Sequence, residues 1–480
     1  MVRNYFRISI FKADSDFKTG EIVKKKMEGI ARLYPEHGRP GRDSILLHPS
    51  RRRWIRINAS AREILEEFWK SRSFHQTAMA ISRRHALDLS EAARHVRTTV
   101  SKLKDDGFLR DPRSRSCRTD LNLRSLYLQI TARCNLSCAH CCYSCSPASN
   151  GQLARQKIVE LIDESTELGA TSITLSGGEP LLHPDLRDII RHAASRMDIQ
   201  LTTNGMLIDD EWAAFLADLP VRIQISLDSP QKAVHERIRG RGTFNKTMAA
   251  VDRLQKAGCD KKLILALTMM SSNLARLDDM IVFAEQLGIP RLRFLPLRQE
   301  GNAGRNWAAL GAKAWIRKYE RFYDRARRPA RETAVGIDVS CGLSGFVPHP
   351  PDIAQADDIW CPIGTYVVVA ADGEAYSCPL LMTGEFALGS VYRRSLGVIL
   401  SSKKWQGICR TLSIRKNEIL RCSRCLWNNL CQGGCMGLAL GQKGNIWDTD
   451  VFCDYRQKAY RQAFQDILEH PRPPRPHEPN

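Results

Sequence analysis

Cys134, Cys138 and Cys141 stand four and then three residues apart in a chain of 480 residues with sixteen cysteines. Thiolates at this spacing can hold three irons of a cubane cluster, and the fourth iron then lacks a protein ligand. A closed structural site takes four protein ligands, so the vacancy implies a small molecule. A second register, Cys138, Cys142 and Cys145, repeats the spacing, and a zinc knuckle is the alternative use of the whole stretch. Cys134 is the preferred start because it closely follows Leu126-Tyr127-Leu128-Gln129-Ile130, an apolar run that reads as a buried strand. The loop at the C-terminal end of such a strand is where α/β barrels keep their chemistry.

Two further groups have chemical residues at suggestive spacing. Gly177, Gly178 and Glu179 follow a second apolar run; glycines let backbone approach a ligand, and a carboxylate beside them can hold an ammonium. Toward the C-terminus, Cys361 and Cys378 flank Asp372-Gly373, a hairpin signal that brings the two together. Cys422, Cys425, Cys431, Cys435 and Cys453 follow. A zinc ribbon uses only four cysteines and leaves the rest of this set unexplained.

The elements that must position these residues are legible as an alternation. Strands are expected at Ser125–Thr131, Ser172–Ser176, Ile199–Thr203, Val221–Leu227, Leu263–Thr268 and Leu292–Leu295, with helices such as 152–168, 184–196 and 274–287 between them. Six such units with right-handed crossovers give an α/β fold, a parallel sheet curved into a partial (β/α)6 barrel over residues 125–300. In front lies a unit over 44–110, with strands at 45–47 and 54–57 and helices from a Ser60/Glu63 capping box, from Phe74 and from Ser90. It reads as a winged helix, which either docks on DNA or takes an extended peptide along a strand edge. Residues 1–43 are basic and unassigned, 111–124 form a basic linker containing Cys117, 301–340 a connector with a helix at 313–327, 341–460 the cysteine-rich domain, and 461–480 a helix end and Pro-rich tail.

The net charge of +20 favours acidic partners, but Arg and Lys are spread along the chain, which argues against nucleic acid. No apolar run approaches the roughly 20 residues of a bilayer span, and no export signal is visible. A cytoplasmic protein is expected, with no membrane partner and with reduced thiols available as metal ligands.

The stretch from Thr131 to Cys141, of the form TxRCNLxCxHC, resembles the cluster loop of the radical S-adenosylmethionine (SAM) superfamily. The resemblance implies a [4Fe–4S] cluster on Cys134, Cys138 and Cys141, whose open iron takes the amino and carboxylate groups of SAM. Reductive cleavage of that cofactor would give methionine and a 5′-deoxyadenosyl radical. It further implies SAM contacts from Gly177, Gly178, Glu179, Asn204 of Thr202-Thr203-Asn204-Gly205, Ser226 and Asp228 of the fourth strand end, and Arg237 of the following H-x-x-R-like segment. The later cysteines, with four residues between Gly373 and Cys378, resemble the SPASM domain of peptide-modifying members. That likeness implies two auxiliary [4Fe–4S] clusters, three in all: one on Cys422, Cys425, Cys431 and Cys453, the other on Cys361, Cys378 and Cys435. Cys341 is its fourth ligand, or else an open iron there takes a substrate thiolate. Cys142 and Cys145 are left as structural or incidental. The front unit resembles the RiPP recognition element, similar to the peptide chaperone of pyrroloquinoline quinone biosynthesis.

Together these likenesses imply an oxidoreductase that installs a thioether or carbon–carbon crosslink in a ribosomally made precursor peptide. An acidic leader would be held by the front unit, and a flavodoxin or ferredoxin would supply electrons. Sulfatase-maturing relatives carry an Asp directly after the second SPASM cysteine; here Pro379 stands there, so that function is disfavoured and no catalytic base is identified. A SAM-dependent enzyme acting on a small molecule such as a tetrapyrrole is the alternative. A DNA-binding iron–sulfur sensor explains neither the glycine pair nor the barrel.

Overall fold

The computed structural model describes residues 31–34, 43–48, 54–71, 73–109, 123–307, 335–339 and 361–469. Cys117, Cys341, the helix expected at 313–327 and the Pro-rich tail lie outside the described residues.

In the front unit β1 (Arg32–Tyr34), β2 (Ser44–Leu47) and β3 (Trp54–Ile57) form an antiparallel sheet in that order. The helices Ala59–Ser71, Phe74–His85 and Leu89–Asp105 follow. The unit therefore starts before residue 44, because a three-residue strand is too short to show periodicity in sequence. Its first helix is capped by Asn58, whose Oδ1 accepts from the Ala61 amide at 2.9 Å, and not by Ser60. Leu33, Leu46 and Ile57 face the unit's own helices, whereas Ile45, Leu47 and Trp54 join the core of the larger body. Both faces of β2 are thus covered, which is why all four of its residues are buried.

The six expected barrel strands are β4 (Ser125–Thr131), β5 (Ser172–Gly177), β6 (Asp198–Thr203), β7 (Val221–Ser226), β8 (Leu263–Met269) and β9 (Arg291–Pro296). All pair parallel in sequence order. Leu126, Leu128 and Ile130 pack outward among helix residues, so Tyr127 and Gln129 face the interior. That interior is polar: Arg293 donates to the Oε1 atoms of Gln200 (3.1 Å) and Gln224 (2.7 Å).

The sheet does not stop at six strands. β10 (Gly336–Val339) adds parallel to β9, and at the other side β11 (Tyr366–Val369) adds parallel to β4. β12 (Glu374–Tyr376) and β13 (Gly389–Ser390) continue it antiparallel, turning at Gly373 (φ +86°) as Asp-Gly foretold. The cysteine-rich region therefore grows from the barrel's first strand, because β4 offers a free edge and Tyr366–Val369 is apolar on both faces. The helix Cys453–Glu469 runs through the boundary expected at 460. Among the described residues no helix is long and apolar enough to cross a membrane.

Candidate functional site

The cluster loop leaves β4 at Thr131 and is gripped from several sides. Gly178 N–H donates to Thr131 O (2.7 Å) and Glu179 N–H to Arg133 O (2.8 Å). A Cβ on Gly177 would stand 2.3 Å from Thr131 O, and one on Gly178 2.2 Å from Arg133 O, so no side chain fits at either place. The glycine pair serves close contact with the loop's own backbone. On the far side Asn302 N–H donates to Cys141 O (2.8 Å), its Nδ2 to Cys138 O (3.2 Å), and Asn306 Nδ2 to Ala139 O (3.0 Å). No motif marked this segment after β9, since its role is to satisfy carbonyls of a distant loop.

Glu179 is fully buried and burial pushes its carboxyl up to about 7, against the hydrogen bonds that favour the charge. It accepts from Thr203 Oγ1 (2.6 Å), the Asn204 amide (2.8 Å) and the Leu181 amide (3.2 Å). Asn204 Nδ2 in turn donates to Asn135 Oδ1 (2.7 Å), next to Cys134. Glu179 and Asn204 thus form a relay of hydrogen bonds from β5 through β6 to the cluster loop.

Asp228 is likewise turned inward. It accepts from Arg239 Nε (2.6 Å) and the Thr268 amide (2.9 Å), and His140 Nε2 lies 3.9 Å away. Burial works against its charge, but the Arg239 guanidinium and His140 hold the carboxyl at about 2. Burial lowers His140 to about 4. Arg239, two residues beyond the expected Arg237, is the residue brought to the loop, and its charge acts on Cys138. Arg237 is exposed on the same helix, Lys232–Arg239, because a step of two residues turns a helical side chain away. Ser226 is half-buried at the end of β7.

The thiols gather as two groups and a third. Burial pushes Cys134 up to about 12, with Cys138 and Cys141 close enough to add to the effect. The Cys145 thiol lies against that of Cys141, a neighbour that lowers Cys141, and it stands near Cys134 as well. Cys142 instead meets Arg298 Nη1 at 3.4 Å. Cys361 lies close to both Cys378 and Cys435, and burial is the main reason its thiol is raised. Cys422, Cys425, Cys431 and Cys453 line one cavity with Arg421, Trp427 and Arg456.

Two buried arginines, silent in the sequence, organise the C-terminal thiols. Arg415 donates to the carbonyls of Gly433 and Gly434 (both 2.7 Å) and carries its charge to Cys361 and Cys422. Arg456 pairs with Asp450 and reaches Cys431 Sγ at 3.2 Å, while Asp450 also accepts from the Cys435 amide at 2.6 Å. Among the described residues no three His, Cys, Asp or Glu side chains converge on a point that a lone metal ion could fill. A cubane is larger than an ion, and the four-cysteine cavity has the donor chemistry that such a cluster needs.

The front unit is fastened beside this cavity. Arg32 donates to Cys425 O, Asn429 Nδ2 to His48 O (3.2 Å) and Arg56 Nη1 to Ile467 O (3.0 Å). Tyr34 packs on Trp427 (ring centroids 5.1 Å apart), Trp54 on Phe464 (5.2 Å), and Trp427 stacks on Phe464 (5.4 Å).

A partial parallel barrel with a three-cysteine loop after its first strand, and cysteine groups beyond its last, defines an iron–sulfur enzyme class, and the comparisons agree. Residues 128–284 match the radical SAM superfamily, and residues 361–426 match SPASM, an iron–sulfur cluster-binding domain. The chain belongs to the radical SAM superfamily and carries a SPASM domain. It is 30% identical over 315 residues to the mycofactocin maturase MftC of Mycobacterium ulcerans, covering 64% of this chain and 81% of that protein. It is 26% identical over 361 residues to the AdoMet-dependent heme synthase of Methanosarcina barkeri, covering 69% and 97%. The fold is similar to that of Streptococcus suis SuiB bound to precursor peptide SuiA, with a TM-score of 0.56, 15% identity, and 89% and 99% of the two chains covered.

Proposed function

We propose that this enzyme modifies a ribosomally made peptide, with SAM at the Cys134, Cys138 and Cys141 cluster and two auxiliary clusters behind it. The observation that carries the reading is the placing of three thiol groups in one body: a loop at the barrel mouth, a Cys361–Cys378–Cys435 group beside the strands that extend the same sheet, with Cys435 at the start of a helix, and a four-cysteine cavity. The 30% identical relative is itself named a maturase.

When bound, the first cluster and SAM supply one-electron cleavage of a sulfonium C–S bond and with it the power to abstract an unactivated hydrogen. The chain's own residues fix where that happens. Gly178 and Asn302 hold the loop backbone, Asn204 holds the Asn135 side chain next to Cys134, Asp228 holds Arg239 beside Cys138, and Tyr127 and Gln129 present a polar wall to the substrate. The outcome is a thioether or carbon–carbon crosslink, with the surplus electron passing to the auxiliary clusters and on to a flavodoxin- or ferredoxin-like protein. The front unit holds an acidic leader along a strand edge and so raises the effective concentration of the core peptide at the barrel mouth.

Co-expression with a short acidic peptide encoded beside the gene, followed by mass spectrometry, tests this. The expected product is lighter by a pair of hydrogens, and deleting residues 1–110 should abolish it. Unchanged turnover after the deletion would remove the leader role. A second reading, action on a tetrapyrrole, is favoured by the heme synthase relative. It requires conversion of the tetrapyrrole with no peptide present.

A further inference from the structure

Between the cluster loop and the Cys378 loop lies a side chain that touches both. Arg298 follows β9, and its Nη1 reaches Cys142 Sγ at 3.4 Å and the Tyr143 phenol oxygen at 3.2 Å. Its guanidinium carbon sits 5.1 Å from the centre of the Tyr143 ring. The other nitrogen, Nη2, donates to Pro379 O and to the Glu300 carboxylate. Pro379 immediately follows Cys378, and the next amide, Leu380 N–H, points at Cys378 Sγ from 3.4 Å. Only 11% of the Arg298 side chain is exposed. A fork of planar donors is suited to this task, because it addresses two loops at fixed angles at once.

The surroundings lock the fork from both ends. A Cβ on Gly301 (φ +55°) would stand 2.5 Å from Cys142 O, so the backbone after Arg298 lies directly on the cluster loop. On the other side a Cβ on Gly437 would stand 2.3 Å from Leu380 Cβ, which presses the Cys378 loop against the helix that follows Cys435. Neither contact repeats the other, and Arg298 is where they meet.

We propose that Arg298 is a positioning residue that fixes the spacing between the SAM-side cluster and the first auxiliary cluster. This rests on the cluster assignment proposed above. Its consequence is that the two clusters keep one separation, at which an electron leaving the substrate finds its acceptor.

The test is power saturation of the electron paramagnetic resonance signal of the SAM-side cluster, in full-length enzyme reconstituted with iron and sulfide and reduced with dithionite. A neighbouring reduced cluster relaxes that signal, steeply with distance, and Cys378→Ala gives the baseline without it. Arg298→Ala should keep the iron content of the wild type yet saturate at lower power, toward the Cys378→Ala value. Arg298→Lys, which keeps charge and loses the fork, should fall between, and it decides the matter if Arg298→Ala loses iron. Saturation of Arg298→Lys and any iron-replete Arg298→Ala at the wild-type power would overturn the proposal. Absence of any cluster signal in the wild type would instead sink the cluster assignment itself.

Discussion

The loop of Cys134, Cys138 and Cys141 and the cavity of Cys422, Cys425, Cys431 and Cys453 are built by opposite means. The first is held by its backbone: its carbonyls accept from Gly178, Glu179, Asn302 and Asn306, which come from two other strand ends. The second is held by buried side-chain charge, Arg456 on Asp450 beside Arg415, and by the aromatic stack that also docks the front unit. A backbone-held loop leaves a ligand room and tolerates little addition near it. A charge-held cavity is rigid but costly to disturb, because an unpaired buried charge has no solvent to turn to. Damage to the first should therefore show as lost chemistry, and damage to the second as lost stability.

The largest effect should come from Gly178→Ala, whose methyl group would displace the Arg133 carbonyl. Formation of 5′-deoxyadenosine from SAM should fall about a hundredfold or more, as a misplacement near 1 Å does elsewhere, while the C-terminal clusters keep their iron. Next is Asp450→Ala, which strands Arg456 and should cost about 3–5 kcal/mol in urea unfolding. It should also loosen the front unit, seen as faster amide exchange in β1, and an unchanged exchange rate would contradict the link between cavity and unit.

The smallest effect is one of pH. The folded Asp228 carboxyl titrates at about 2 against an ordinary 3.8. Its depressed value contributes about 2 kcal/mol, present above pH 3.8 and lost as pH falls through about 2. Urea midpoints of cluster-free wild type and Asp228→Asn should therefore differ at pH 7 and converge in acid.

Much of this was legible from the chain because short apolar runs punctuated by glycine and polar turns announce parallel strands, and the six barrel strands lie within a residue of their expected ends. The cysteine groups were legible as candidate ligands because metal ligation demands fixed residue types. What escaped was anything whose partner is remote. Arg298, Arg415 and Arg456 look like three of many basic residues until the fold buries them. The hydrogen bonds that fix Glu179 and Asp228, to Asn204 and Arg239, join residues 25 and 11 positions apart in the chain and carry no local signal. Arg239 in place of Arg237 is a matter of helical phase, which a motif fixes only to within a residue or two. β1 was missed because three residues carry no period.

The most direct test of the account is 5′-deoxyadenosine formation by anaerobically reconstituted, dithionite-reduced enzyme given SAM, with Cys138→Ala and Cys425→Ala beside it. The wild type and Cys425→Ala should form it and Cys138→Ala should not. Wild-type protein that holds zinc in place of iron and sulfide, or that cleaves no SAM, would contradict the account at its centre.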